Sequence, residues 1–285
     1  MSQSVINGVR TDRISSTPLW QAITIVIVLY MVQGMTLSLC EVIPLYLASF
    51  GATWKQQGIL SFVMYPFTVK LLWAPFVDVL YIKKLGRRQT WLLPVLFFLG
   101  IIFLVLSFYF EQMLMQLRVF QLTTVLFFIT LLIATQDICV DGWALSLFSS
   151  SNVIWQSISQ TIGQPLGSFL GSPLLLTFES ANMTNRLIRQ PLGLPLQTYG
   201  LFTLAQFLRF WGIVFLLITI GVIFLFRQQR HLHEENVNNL KLVQTYVYVV
   251  KLFRKKTFQR SIWILLGPNF GYAATSAMSF LVLIK

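Results

Sequence analysis

Residues 119–148, VFQLTTVLFFITLLIATQDICVDGWALSLF, decide the fold. At 1.5 Å per residue, a helix over this stretch is long enough to cross the roughly 30 Å hydrocarbon core of a bilayer. Its only charged residues are Asp137 and Asp141. Runs of the same kind recur along the chain, from Leu19 to about Leu47, Gly58 to Ile82, Trp91 to Phe110 and Phe207 to Phe226. Another, Ile154 to Phe178, is less apolar and rich in Ser, Gln and Gly. A seventh begins near Ser261, and Lys285 is the last residue.

Composition agrees with these runs. Of 285 residues, 56% are hydrophobic and 11% charged, against about 25% charged in soluble domains. So few charges cannot cover a water-facing surface, which excludes an ordinary soluble enzyme. The expected class is an all-α polytopic membrane protein. Its parts are a tail over residues 1–18, a six-helix bundle over 19–226, a basic amphipathic linker over 227–260 and the start of further spans over 261–285. The tail lacks an apolar h-region, so no cleavable signal peptide is expected. Cys40 and Cys139 both lie in apolar runs, so no disulfide framework is implied.

Six spans assign the loops to alternate sides. One side collects 14 of the 21 Lys and Arg residues and the other collects 4. Basic loops mark the cytoplasm, so the N-terminus is expected there. The sequon Asn182-Met183-Thr184 falls on the opposite side, as a glycosylation site must. The linker interleaves Leu240, Val243 and Val247 with Lys241, Lys251 and the Arg254-Lys255-Lys256 cluster, a pattern suited to anionic lipid rather than nucleic acid.

Five ionisable residues are expected at membrane depth: Glu41, Lys70, Asp78, Asp137 and Asp141. Each costs a few kcal/mol on insertion scales, so such residues face a bundle interior or a water-filled cavity and favour a solute pathway. Asp137 and Asp141 are four apart and share one helical face. Asp141 reads either as a salt-bridge partner of the basic loop or as a relay group, and Asp137 is open to the same alternatives. Lys70 sits mid-span, where an ion pair and an anion-binding role are equally open. Gly163, Gly167 and Gly171 form a small-residue ridge for close helix packing. Gln160 and Gln164 lie on the face that could line a cavity. No HExxH, CxxC, GxSxG or P-loop pattern occurs, and His231 and His233 are too sparse for a metal site. No enzyme chemistry, metal or cofactor is expected.

The segment Trp73-Ala74-Pro75-Phe76-Val77-Asp78, followed by Lys83-Lys84-Leu85-Gly86-Arg87-Arg88, resembles the loop between helices two and three of the major facilitator superfamily, though Asp78 and Gly86 are further apart than usual. With Lys70-Leu71-Leu72 ahead of it, and with Ala134-Thr135-Gln136-Asp137-Ile138-Cys139-Val140-Asp141-Gly142-Trp143, it is similar to the acetyl-coenzyme A transporter family. Gln33-Gly34, Ile43-Pro44-Leu45 and Gly163-Gln164 fit the same pattern, and bacterial muropeptide permeases share the layout more distantly. The resemblance implies a twelve-helix alternating-access transporter of the endoplasmic reticulum membrane, carrying acetyl-CoA from cytosol to lumen. The chain then corresponds to the six-helix N-terminal bundle plus a partial seventh helix. That implies a truncated product, able to act as a homodimer or beside a full-length transporter.

Carried onto this sequence, the resemblance makes Gln33, Glu41, Lys70, Gln136, Asp137, Gln160 and Gln164 pathway residues. Asp78, Lys83, Lys84, Arg87, Arg88 and Asp141 become a cytoplasmic latch. H+ is the implied coupling ion. Two other readings stand beside this one: a proton-coupled symporter of another solute, and a non-transporting half that modulates a full-length partner.

Overall fold

The computed structural model describes residues 18–82, 85–148, 152–229, 246–247, 251, 253–260 and 263, with the side chains of 227–229 excepted. The chain divides into two compact units, Met1–Glu235 and Asn236–Lys285. Among its described residues the first unit consists of helices joined by turns and irregular loops, with no strand. The protein is an all-α polytopic membrane protein.

Among the described residues four helices are long and apolar enough to cross a bilayer: α1 (Leu19–Ser49), α5 (Arg87–Met115), α6 (Val119–Leu147) and α10 over Leu204–Phe226 of its full Leu204–Gln229. They coincide with four of the expected runs; α1, α5 and α10 extend beyond theirs by a few residues and α6 ends one residue short. The other two runs are broken. The second comprises α2 (Trp54–Leu60), a 3-10 turn at Ser61–Met64, α3 (Tyr65–Thr68), a second 3-10 turn at Lys70–Leu72 and α4 (Ala74–Val79). Pro66 and Pro75 explain the breaks. Each lies in the first turn of a new short helix, where its missing N–H costs nothing, and each would interrupt a continuous ladder. The backbone at Val69 leaves the helical basin, with φ −101° and ψ 14°. Irregular backbone at membrane depth is tolerated where protein or a cavity covers it.

The fifth run divides for the same reason into α7 (Ile154–Gly171) and α8 (Pro173–Glu179), with Pro173 opening the second piece. A short α9 (Ala181–Thr184) and a π-turn at Asn185–Arg189 follow. Arg189 organises the connection to α10. It is 7% exposed, donates to the Tyr199 and Gly200 carbonyls and to Asn185 Oδ1, and stacks over the Tyr199 ring.

Helix α1 packs along α7 and also against α6, and α5 joins α10 to α6. At the α5–α10 contact Phe103 and Phe215 are fully buried with ring centroids 5.4 Å apart. The outward faces expose Phe98, Phe108, Phe120 and Phe224, as hydrocarbon solvent permits. Along the α1–α7 seam the buried residues of α7 are Ser159, Gly163, Gly167 and Gly171, one per turn. A side chain at Gly163 would meet the Ile27 carbonyl oxygen, and at Gly167 or Gly171 the carbonyl of Met31 or Met35. The ridge thus lets two backbones touch.

In the second unit, residues 256–260 are helical, and Phe253 meets Phe258 edge to face at 5.2 Å. Most of the remaining linker, nearly all of the tail and nearly all of the expected seventh span lie outside the described residues.

Candidate functional site

Helices α1, α6 and α7 and the broken second segment carry a column of polar groups. Its first layer is built on α6. Asp137 is 1% exposed, accepts from Gln33 Nε2 on α1 at 2.7 Å and is ion-paired with Lys70. The Lys70 side chain is 34% exposed and its ammonium lies 4.5 Å from the Phe67 ring centroid. The cation therefore reaches in from the open side to a sealed carboxylate. It stands on the 3-10 turn between α3 and α4, where the broken backbone redirects the side chain.

Gln136, fully buried beside Asp137, donates to the Leu29 carbonyl at 3.1 Å. The side-chain oxygens of Gln33 and Gln136 are buried with no hydrogen-bond partner. Two unsatisfied amide acceptors in one place are costly in a helix bundle and mark a polar rather than a purely structural interior.

One turn along α6, Asp141 forms the second layer. Its carboxylate accepts from the Tyr30 hydroxyl at 2.5 Å, and Gln156 on α7 donates to its backbone carbonyl at 3.4 Å. A third layer follows at the next residue. Arg88, at the start of α5, donates to Asp78 at the end of α4 at 2.6 Å, and its guanidinium lies directly over Gly142. Gly86, at φ 93°, allows the chain to turn there into α5.

The structure therefore brings Gln33, Lys70, Gln136 and Asp137 together, and separately joins Asp78 to Arg88. Asp141 stands with Tyr30 and Gln156 rather than with the arginines. Arg87 lies 5.7 Å from the Tyr81 ring centroid instead. Lys83 and Lys84 fall outside the described residues. Glu41 is exposed on α1, two turns from Gln33 and apart from the column. Gln160 and Gln164 line a different, open cleft of about 560 Å³ with Thr161 and Ser168. Asn182 is exposed on α9, and Thr184 of its sequon is buried and bonded to the Phe178 carbonyl. Tyr30 is the residue that sequence reading missed; its position three before Gln33, on the same face of α1, was the available signal.

At the opposite end of the bundle lies a cavity of about 490 Å³ lined by Tyr46, Glu111, Glu179 and Tyr199, among others. Tyr46 donates to Glu179, and Glu111 accepts from the Ala205 N–H at the start of α10. These contacts tie α1, α5 and α8 to the N-terminus of α10, where carboxylates are favoured.

The family model for acetyl-coenzyme A transporter 1 matches residues 22–264. The chain belongs to this family. The match takes in all three polar layers. An uncharacterized membrane protein of Saccharomyces cerevisiae is 32% identical over 220 residues, covering 70% of this chain and 39% of the relative. An uncharacterized protein of Schizosaccharomyces pombe is 29% identical over 243 residues, covering 83% of this chain and 46% of its own length. A Rickettsia prowazekii protein, provisionally described as the transporter AmpG 3, is 28% identical over 154 residues, covering 52% of this chain and 35% of its own. The chain thus spans less than half the length of these relatives. No solved structure matches it. Membership in a transporter family accords with the absence of catalytic motifs in the sequence.

Proposed function

We propose that this chain forms one half of an alternating-access carrier of the major facilitator type, moving acetyl-CoA from the cytosol into the lumen of the endoplasmic reticulum. The observation that carries the reading is the Lys70–Asp137 pair. A one-third-exposed ammonium, mounted on a broken span and balanced by a sealed carboxylate, is an anion site held in a neutral resting state. An entering phosphate or phosphoanhydride competes with Asp137 for the cation, and until it arrives the pair leaves no uncompensated buried charge. Acetyl-CoA is polyanionic and belongs to the chemistry named by the family.

In this reading the basic end near Arg88 is cytoplasmic, and the Asp78–Arg88 pair closes the bundle on that side. The end bearing Asn182 and the Glu179 contacts is lumenal, and Asn182 carries a glycan. H+ is the coupling ion. The second six-helix half comes from a longer chain, a full-length partner or a second copy. Uptake of radiolabelled acetyl-CoA into proteoliposomes tests the assignment. Saturable uptake that unlabelled acetyl-CoA displaces supports it. Saturable uptake of another solute, with none of acetyl-CoA, transfers the site to that solute.

A further inference from the structure

Asp137 and Asp141 lie one turn apart on α6, yet their surroundings differ in kind. Asp137 has a full positive charge against it, Lys70, and an amide donor, Gln33. Asp141 has the Tyr30 hydroxyl on Oδ1 and the Gln156 side chain beside it, and both are neutral.

The charged groups on the elements packed around Asp141 are already committed. Lys70, from the 3-10 turn, is paired with Asp137. Arg88, from α5, lies over Gly142 and is paired with Asp78 from α4. Arg87 rests against the Tyr81 ring. The remaining charged neighbour is Asp137 itself, which is of like sign. Among the described residues Asp141 is therefore half-buried in the bundle with hydrogen bonds but no counter-ion of its own. Neutral donors do not cancel a full charge in a low-dielectric interior, whereas a proton does.

We propose that Asp141 is the proton-carrying carboxylate of this bundle and Tyr30 its positioning partner, while Asp137 serves as the ion-pair member. The proton comes from water and forms one O–H bond on Oδ2, the oxygen that Tyr30 leaves free. It departs to water by breaking that bond, and no electrons move. The proton site exists whether or not the protein transports acetyl-CoA; its use in coupling rests on the transporter reading above.

Coupling follows from the spacing. An anion that takes Lys70 leaves Asp137 unbalanced, and that negative charge one turn away favours the protonated form of Asp141. Anion and proton then enter together, and by linkage each strengthens the binding of the other.

Infrared spectroscopy of the reconstituted chain reads the proton directly, through the C=O stretch of a protonated carboxyl. The band is expected in the wild type at neutral pH and absent in Asp141→Asn. It should be shifted in Tyr30→Phe and in Asp141→Glu, and kept in Lys70→Met/Asp137→Asn, where no new free charge is created. Circular dichroism confirms that each variant is folded, and Asp141→Glu keeps the test open if the asparagine variant is not. A band that survives Asp141→Asn, or one lost in the double variant alone, overturns the proposal. In the same preparations, held at the pH where the carboxyl band has half its full intensity, a pH dye reports proton uptake when acetyl-CoA is added, and Asp141→Asn is expected to abolish it. Band behaviour as expected without any acetyl-CoA response would count against the substrate and not against the proton site. An acetyl-CoA response with no carboxyl band would count against the proton site alone.

Discussion

Replacing Gly163 by alanine tests the seam that holds the polar column together. The new methyl would stand 2.6 Å from the Ile27 carbonyl oxygen and 2.9 Å from the Tyr30 Cβ. Ordinary contact begins at 3.4 Å, so α1 and α7 must separate by about 0.8 Å at Ile27 and 0.5 Å at Tyr30. A backbone carbonyl cannot rotate out of the way. Overpacking of this kind costs about 1–3 kcal/mol, set against about 1 kcal/mol gained from alanine's helix propensity. The net is a loss of up to about 2 kcal/mol. Gly58 in α2 and Gly221 in α10 supply the control, because a methyl at either meets nothing within 4 Å. There the propensity gain stands alone, and alanine should be neutral or stabilising by up to about 1 kcal/mol. Thermal unfolding of each purified variant in the same detergent, followed by circular dichroism, gives the comparison. Gly163→Ala should melt below the wild type and the two controls should not. A Gly163→Ala midpoint at or above the wild type would refute the close seam, as would an equal fall in all three variants.

Other perturbations follow from the same geometry. Lys70→Met strands the buried Asp137 and should destabilise by about 3 kcal/mol, the lower end of the range for a broken buried pair because Lys70 is partly exposed. Adding Asp137→Asn should recover most of that loss in a denaturant titration, and a simple sum of two losses would contradict the pairing. Asp78→Asn removes a partly exposed partner of Arg88 and should cost about 1 kcal/mol or less. Gly142→Ala displaces the same guanidinium, so the two changes should be non-additive in a double-mutant cycle. Arg189→Met frees the Tyr199 and Gly200 carbonyls. A loss of about 2 kcal/mol is expected, with faster cleavage between residues 190 and 203 in limited proteolysis.

The four uninterrupted spans were legible because length and apolarity alone specify them. The broken ones were less so. A 19-residue hydropathy average cannot tell a continuous helix from α2–α4, and Pro66 and Pro75 act only through the backbone geometry that follows them. The Lys70–Asp137 pair was half legible. Each residue was recognisable as expensive at membrane depth, but nothing in the spacing of 67 positions says that they meet. Asp141 stands with Tyr30 while Arg88 pairs with Asp78, and the reason is rotational. A helix turns 100° per residue, so Gly142 faces α5 and its arginine, while Asp141 faces α1 with Asp137. Tyr30 was passed over because a tyrosine in an apolar run reads as core; its place on the Gln33 face was the one hint, and its hydroxyl gains its meaning from Asp141 across the interface. Gln160 and Gln164 line a cleft of their own, apart from the Lys70–Asp137 pair with which the sequence reading grouped them.

Equilibrium binding of radiolabelled acetyl-CoA to the purified chain tests the central claim, that the Lys70–Asp137 pair is an anion site. It does so without requiring that this chain transport by itself. The comparison is with Lys70→Met/Asp137→Asn, which removes the cation and leaves no stranded charge. A charge-assisted contact contributes about 1.5–3 kcal/mol, so the double variant should bind at least about tenfold more weakly. Equal affinity in the two proteins would place acetyl-CoA elsewhere and contradict the account.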